Sequence, residues 1–218
     1  MRQLIVSTFI TLDGVMQAPG GPEEDPTGGF TYGGWSFNYW DDMMGQVMGE
    51  FMAKPSELLL GRKTYEIFAA HWPYIKDDPV ADKLNSVKKY VVSRTFDEVI
   101  WNNSTLITGN VVHAIRNLKE QKGPEIQVHG SGNLIQTLLK HDLIDEFRLW
   151  IFPVTIGKGK RGTQPASLKL IDIKTSTTGV IIATYEPAGE IKTGSFSLDN
   201  PSEVELERRK RLADEGNA

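Results

Sequence analysis

Five short apolar runs, at residues 4–10, 57–60, 90–93, 126–129 and 144–154, are separated by segments with helical spacing, and this alternation limits the fold more than any other feature of the chain. The first run, LIVSTFI, is nearly continuous in apolar and β-branched residues, the pattern of a strand covered on both faces. Between the runs, Trp40, Met43, Met44, Val47, Met48, Phe51 and Met52 recur at i, i+3, i+4 and i+7 and form one apolar stripe from about residue 39 to 53. Val111, Ile115 and Leu118 repeat the pattern, as do Leu134, Ile135, Leu138 and Leu139. Strands alternating with helices of this length predict a three-layer α/β domain, with a mostly parallel central sheet and helices on both faces. The runs at 168–175 and 179–185 are joined by a few Ser, Thr and Gly residues, too few for a crossover helix, so they predict an antiparallel hairpin closing one edge.

A chain of 218 residues with 39% apolar content can bury one sizeable core. Residues 1–187 are expected to form that domain, and 188–218 a polar tail in which ELERRKR can form a surface helix. The net charge of −4 provides no broad basic field, which argues against nucleic acid or an anionic membrane as partner. Any anion must be met locally. There is no cysteine, which removes disulfides, thiolate nucleophiles and cysteine-bound metals together. No apolar run approaches the roughly 20 residues of a membrane span, and the N-terminus lacks a small-residue cleavage site, so the expected location is cytoplasmic. Residues 14–34 hold seven glycines, three prolines and the acidic triplet Glu23, Glu24, Asp25, a composition expected of a lid or binding loop.

In an open α/β sheet, ligands sit beyond the carboxyl ends of the strands, where helix N-termini present free amides. Three such ends carry matching chemistry. Gly61-Arg62-Lys63-Thr64 offers a tight turn, a guanidinium, an ammonium and a hydroxyl at a helix start. Val92-Ser93-Arg94-Thr95 again ends a strand on a hydroxyl and an arginine. Val128-His129-Gly130-Ser131-Gly132-Asn133-Leu134 lets backbone amides approach an anion before a helix begins, although Ile135 stands where a full GxGxxG would have its third glycine. Two cations at the positive end of a helix cost roughly a few tenths of a kcal/mol or more unless an anion sits there. Three such sites in a net-acidic chain point to a multi-phosphate ligand such as a dinucleotide.

At these residues the chain resembles the dihydrofolate reductase superfamily, and more closely the branch that contains the reductase domain of the bacterial riboflavin-biosynthesis deaminase/reductase and its stand-alone relatives. The resemblance is carried by TLDGVMQAPGG, LLLGRKTYEIF, KYVVSRTF, VHGSGNLIQTLLKHDLIDEF and FPVTIGKGKR, in that order, over residues 1–187. It implies a central sheet of about eight strands and NADPH as cofactor. By position, Gly61, Arg62, Lys63 and Thr64 are then expected at the 2′-phosphate and pyrophosphate. Ser93 and Arg94 are expected to flank the adenosine 2′-phosphate, and Gly130, Ser131, Gly132, Asn133 and Leu134 to hold the pyrophosphate from the other side. Asp13, Gly14, Val15 and Met16 match the mobile loop that closes on the nicotinamide.

The family also places a carboxylate on the helix after that loop, which makes Asp41 and Asp42 the catalytic candidates. Both equally suit capping at a helix start. The pattern around the acid departs from that of the folate enzymes, which turns the expectation from folate towards another small heterocycle, such as a riboflavin-pathway pyrimidine. Trp40, Met44 and Phe152 are the expected substrate contacts. Phe30, Tyr32, Trp35, Phe37, Tyr39 and Trp40 crowd six aromatics into eleven residues, fit to stack on a flat ring, to pin the long loop, or to bury a dimer face. Phe147, Leu149 and Ile151 alternate with Trp150 and Phe152, so both faces of this late strand are apolar, and with the family habit a homodimer using this region is expected. The four histidines share no metal spacing, and Ser131 lacks the GxSxG setting of a hydrolase nucleophile because His129 stands where glycine is needed. The function expected is a NADPH-dependent reductase of a small heterocycle. The alternatives are a nucleotide- or ligand-binding module of the same fold without turnover, or a dihydrofolate/pterin reductase.

Overall fold

The computed structural model describes residues 1–162, 165–196 and 199–216. In chain order the elements are β1 (Leu4–Thr11), α1 (Asp42–Ala53), β2 (Ser56–Gly61), α2 (Arg62–His71), α3 (Pro79–Ser86), β3 (Lys89–Val92) and β4 (Ser104–Ile107). They continue with α4 (Val111–Glu120), β5 (Glu125–His129), α5 (Gly132–Lys140), β6 (Glu146–Phe152), β7 (Leu168–Thr175), β8 (Ile181–Pro187) and α6 (Glu203–Glu215). Eight strands form one sheet in the order β4-β3-β2-β5-β1-β6-β8-β7. The first six in that order are parallel, and β8 and β7 run antiparallel at the end, as the short connection between them requires.

Strand pleating divides the core between two helical layers. Leu4, Val6, Leu59, Ile126 and Val128 pack with Ile115 and Leu118 of α4 and Leu134, Ile135 and Leu138 of α5. Leu58 and Leu60, neighbours of Leu59, face the other way towards Tyr65 of α2 and Leu84 of α3. Further along that layer, Met44 and Val47 of α1 meet Trp150, Phe152 and Ile182. Thus α2 and α5 lie on opposite faces, although the strands that feed them, β2 and β5, are neighbours. This places two helix starts over one stretch of sheet edge.

Two elements escaped the sequence reading. β4 is four residues long with only Ile107 buried, so STLI is too short and too mixed to show an apolar face. α3 is announced only by Asp78, whose carboxylate accepts from the Val80 and Ala81 amides at 2.8 Å ahead of Pro79. The stripe expected from residue 39 begins as a helix only at 42, because Asp41 is extended (φ −138°, ψ 174°) and caps it; Trp40 therefore lies outside α1. β6 lies inside the sheet, paired with both β1 and β8, so its edge is not open to a partner subunit. Among the described residues, no helix is long and apolar enough to cross a membrane.

Lys89 is a buried exception to the apolar rule. Its ammonium donates to the carbonyls of Asn85 (3.1 Å), Val87 (2.8 Å) and Asn102 (3.1 Å) and lies 4.3 Å from the Trp101 ring centre. Burial pulls its pKa down to about 8.

Candidate functional site

The chain turns from β2 into α2 at Gly61 and from β5 into α5 through Gly130 and Ser131. These turns touch: the Gly61 amide donates to Ser131 Oγ at 3.0 Å, and Ser131 Oγ lies 2.6 Å from Thr64 Oγ1. A Cβ at Gly61 would fall 2.6 Å from Ser131 Oγ, so only glycine allows this approach. Gly130 and Ser131 both have φ of +65°, and a serine held in the left-handed region is a local strain maintained by its surroundings.

The helix ends differ in how their first amides are satisfied. Asp41, Asp78, Asn110 and Ser202 cap α1, α3, α4 and α6 through their side chains. No side chain caps α2 or α5, and neither has an acidic residue in its first turn. Among the α-helices of the described residues, these two uncapped starts are the two that meet at the Gly61–Ser131 contact. Unpaired amides and the positive ends of two dipoles there favour an anion from outside the helices.

Arg62, Lys63 and Lys160 at this edge have acidic partners. Arg62 is exposed and pairs with Glu66 one turn on, at 3.0 Å. Lys63 reaches the 14–34 loop, 3.6 Å from Asp25 Oδ1 and 3.4 Å from Thr27 Oγ1. Lys160 comes to the same place, paired with Asp25 Oδ2 and 2.6 Å from Thr27 Oγ1. The neighbouring Lys160 ammonium lowers the Lys63 pKa. One strand over, where Val92 registers with Gly61, Ser93 Oγ accepts from the amides of Thr95 and Phe96 at 3.1 Å, and Arg94 is exposed. His129, at the end of β5, lies against the Phe68 ring and is pushed down to about 4 by burial and then by Arg148.

Asp13 anchors the loop after β1. Its carboxylate accepts from Thr11 Oγ1 (2.5 Å), the amides of Ile156 (3.1 Å) and Gly157 (2.7 Å), and Arg161 Nη2 (2.9 Å). Led by the Thr11 and Gly157 bonds, these donors hold it far below the usual carboxylate range. Gly14 turns the chain at φ +80°, Val15 pairs with Arg161, and the Met16 amide donates to the Lys160 carbonyl at 2.9 Å. Buried Gln17 donates from Nε2 to the carbonyls of Asp25 and Thr27, both at 2.9 Å, and accepts from the Lys160 amide at 3.1 Å. Between these segments lies a cavity of about 270 Å³ bordered by Gln17, Thr27, Phe30, Lys158 and Lys160.

Sequence reasoning did not single out Gln17, Asp25, Thr27, Lys160 or Arg161 as site residues. The GKGKR stretch and the acidic triplet were visible, but pairing partners 135 residues apart leave no local pattern.

Asp41 stands apart from this edge. Oδ1 accepts from the Met44 amide at 2.9 Å, and Oδ2 from the Thr177 amide (2.8 Å) and hydroxyl (2.7 Å), which lowers its pKa. Asp42 is exposed. Trp40 stacks on Trp150 with 6.0 Å between centres and 6° between planes, while Trp35 and Tyr39 meet Phe152 edge-on. Met44 and Phe152 are fully buried and Trp40 is 44% exposed, so of the expected substrate contacts only Trp40 offers surface. Of the six loop aromatics, Phe30 is buried with Val15 and Ala18, and Tyr32 and Phe37 are exposed. Among the described residues, no three His, Asp or Glu side chains are grouped to hold a metal.

Solved structures with this architecture define the class as a dihydrofolate-reductase-like α/β domain. A Shewanella sp. PV-4 protein provisionally assigned to riboflavin biosynthesis matches at 23% identity and TM-score 0.59, over 85% of this chain and 98% of that one. A pyrimidine reductase-like protein from Corynebacterium diphtheriae matches at 12% identity and TM-score 0.58, over 87% and 93%. Dihydrofolate reductase from Enterococcus faecalis, complexed with NADP(H), matches at 12% and 0.55, over 85% and 96%. Within that class the chain belongs to the RibD C-terminal domain family, whose sequence profile matches residues 2–182. It is also 30% identical over 197 residues to the uncharacterized protein YyaP of Bacillus subtilis (strain 168), covering 84% of this chain and 94% of that one.

Proposed function

We propose that this protein is a NADPH-dependent reductase of a small heterocyclic substrate. The observation that carries the reading is the meeting of two uncapped helix starts, α2 and α5, over the carboxyl ends of β2 and β5, with Lys63 beside them and Arg94 one strand away. Such a place suits a pyrophosphate, and Arg62 and Arg94 suit the extra phosphate that separates NADPH from NADH. NADPH supplies a hydride when bound. The chain's own contribution is to hold the phosphates through Gly61, Thr64 and the 130–134 turn, and to keep residues 13–16 fastened beside the nicotinamide end through Asp13. Family membership and the reductases among the structural neighbours support the same reading.

A homodimer belongs to this proposal. Its face is the β7 edge, where Leu168, Leu170, Ile171 and Ile173 are 36–52% exposed beside an unpaired backbone row.

A second reading, a ligand-binding module without turnover, is favoured by one observation. Asp41 is already saturated by three donors and its pKa is lowered, which makes it a poor proton donor. Titration with NADPH and NADH, followed by a heterocycle screen that monitors loss of NADPH absorbance, separates the readings. Preferential NADPH binding with turnover is the expected result. Binding without turnover selects the module, and equal affinity for the two nicotinamides, or none for either, removes the reductase.

A further inference from the structure

The loop that crosses the phosphate-binding edge brings its own anion there. Asp25 is 12% exposed through its side chain and faces two ammonium groups from different parts of the fold, Lys63 of α2 and Lys160 of the segment after β6, with Thr27 Oγ1 between them. Arg161, the next cation along, is taken by Asp13, and Arg62 by Glu66. The loop is knit into a unit by its own contacts. Gln17 holds both sides of the Asp25–Thr27 turn, and Glu24 accepts from the Gly20 and Gly21 amides at 2.5 and 3.2 Å. Gly33 lies so close to Gly21 that a Cβ would come within 2.5 Å of its carbonyl oxygen. Among the described residues, the Asp25 corner is tied to Lys63 through side chains, by the Asp25 ion pair and the Thr27 hydroxyl, and both lysines are nearly half exposed.

We propose that Asp25 is a built-in substitute for a ligand phosphate: it latches Lys63 and Lys160 beneath the loop and is displaced when a phosphate dianion takes the two ammonium groups. One carboxylate against two ammoniums leaves a net positive charge, which a dianion with three acceptor oxygens satisfies better. With the lysine side of each pair nearly half exposed, the pairs are weak enough to exchange in solution. The latch therefore acts as a tax on phosphate affinity, because only the unlatched fraction binds. The inference rests on the reading that this edge receives a ligand phosphate, and the test separates the two.

The probe is inorganic pyrophosphate, titrated calorimetrically into the wild-type protein, Asp25→Asn, Asp25→Ser and the double variant Asp25→Asn/Lys160→Gln. Both Asp25 variants should bind roughly three- to tenfold more tightly than wild type, and the double variant should lose that gain. Amide exchange across residues 20–30 of the wild-type protein should accelerate when pyrophosphate is added. Equal or weaker binding by the Asp25 variants makes Asp25 a support for Lys63 and overturns the latch. Unchanged loop exchange overturns it too, as does absence of pyrophosphate binding in every protein. NADPH titration of the wild type decides the cofactor reading separately: a chain that binds pyrophosphate in this manner yet ignores NADPH loses that reading and keeps the latch.

Discussion

At the scale of single residues, the contact between Gly61 and Ser131 joins the two helix starts most directly. Gly61→Ala places a methyl 2.6 Å from Ser131 Oγ and should cost about 1–3 kcal/mol in chemical denaturation, with most of the loss recovered when Ser131 is also changed to Gly. His129 gives a pH signature. Its folded pKa of about 4 lies below the ordinary 6.5, so the unfolded chain binds the proton more tightly and stability falls as pH drops through that interval. Relative to His129→Gln, the wild type should lose up to about 3 kcal/mol between pH 6.5 and pH 4, measured as the difference of their urea midpoints. Asp41 tests capping against chemistry: Asn can still cap, so Asp41→Asn should keep Tm while Asp41→Ala lowers it, and a collapse of turnover in the Asn variant alone would assign the acid to catalysis. None of the Asp41, Asp13 or Asp25 bonds to distant chain was legible beforehand. A carboxylate in sequence advertises its charge and not its partner.

At the scale of elements, the helix starts were legible because their chemistry is local. Gly-Arg-Lys-Thr and Gly-Ser-Gly-Asn follow strands directly, and α2 and α5 begin at Arg62 and Gly132. That they oppose one another was not legible, since it depends on β5 lying beside β2 while their helices take opposite faces. Charge reversal at this edge, Arg62→Glu with Arg94→Glu, should weaken NADPH binding at least tenfold (about 1.4 kcal/mol) and flatten its salt dependence. The β7 edge makes the other element-scale prediction. Ile171→Lys with Ile173→Lys should convert a dimer to monomer in sedimentation at micromolar concentration, and a monomeric wild type would remove the dimer from the proposal.

At the scale of the whole molecule, the sheet core and the last helix are separable. α6 buries no residue and is laced by its own pairs, Glu205 with Arg208 and Arg209, so removing residues 199–218 should leave Tm within about 2 °C. The amino-acid sequence alone determined the three-layer class, the parallel sheet with its antiparallel end and the three candidate strand ends, two of them bearing cations, because hydrophobic period, chain direction and turn chemistry act over a few residues. Tertiary structure alone decided the strand order, the approach of Ser131 to Gly61, and the gathering of Asp25, Lys63 and Lys160. Those arrangements are fixed by packing between segments far apart in the chain, where burial and charge pairing are settled only once the sheet has brought them together.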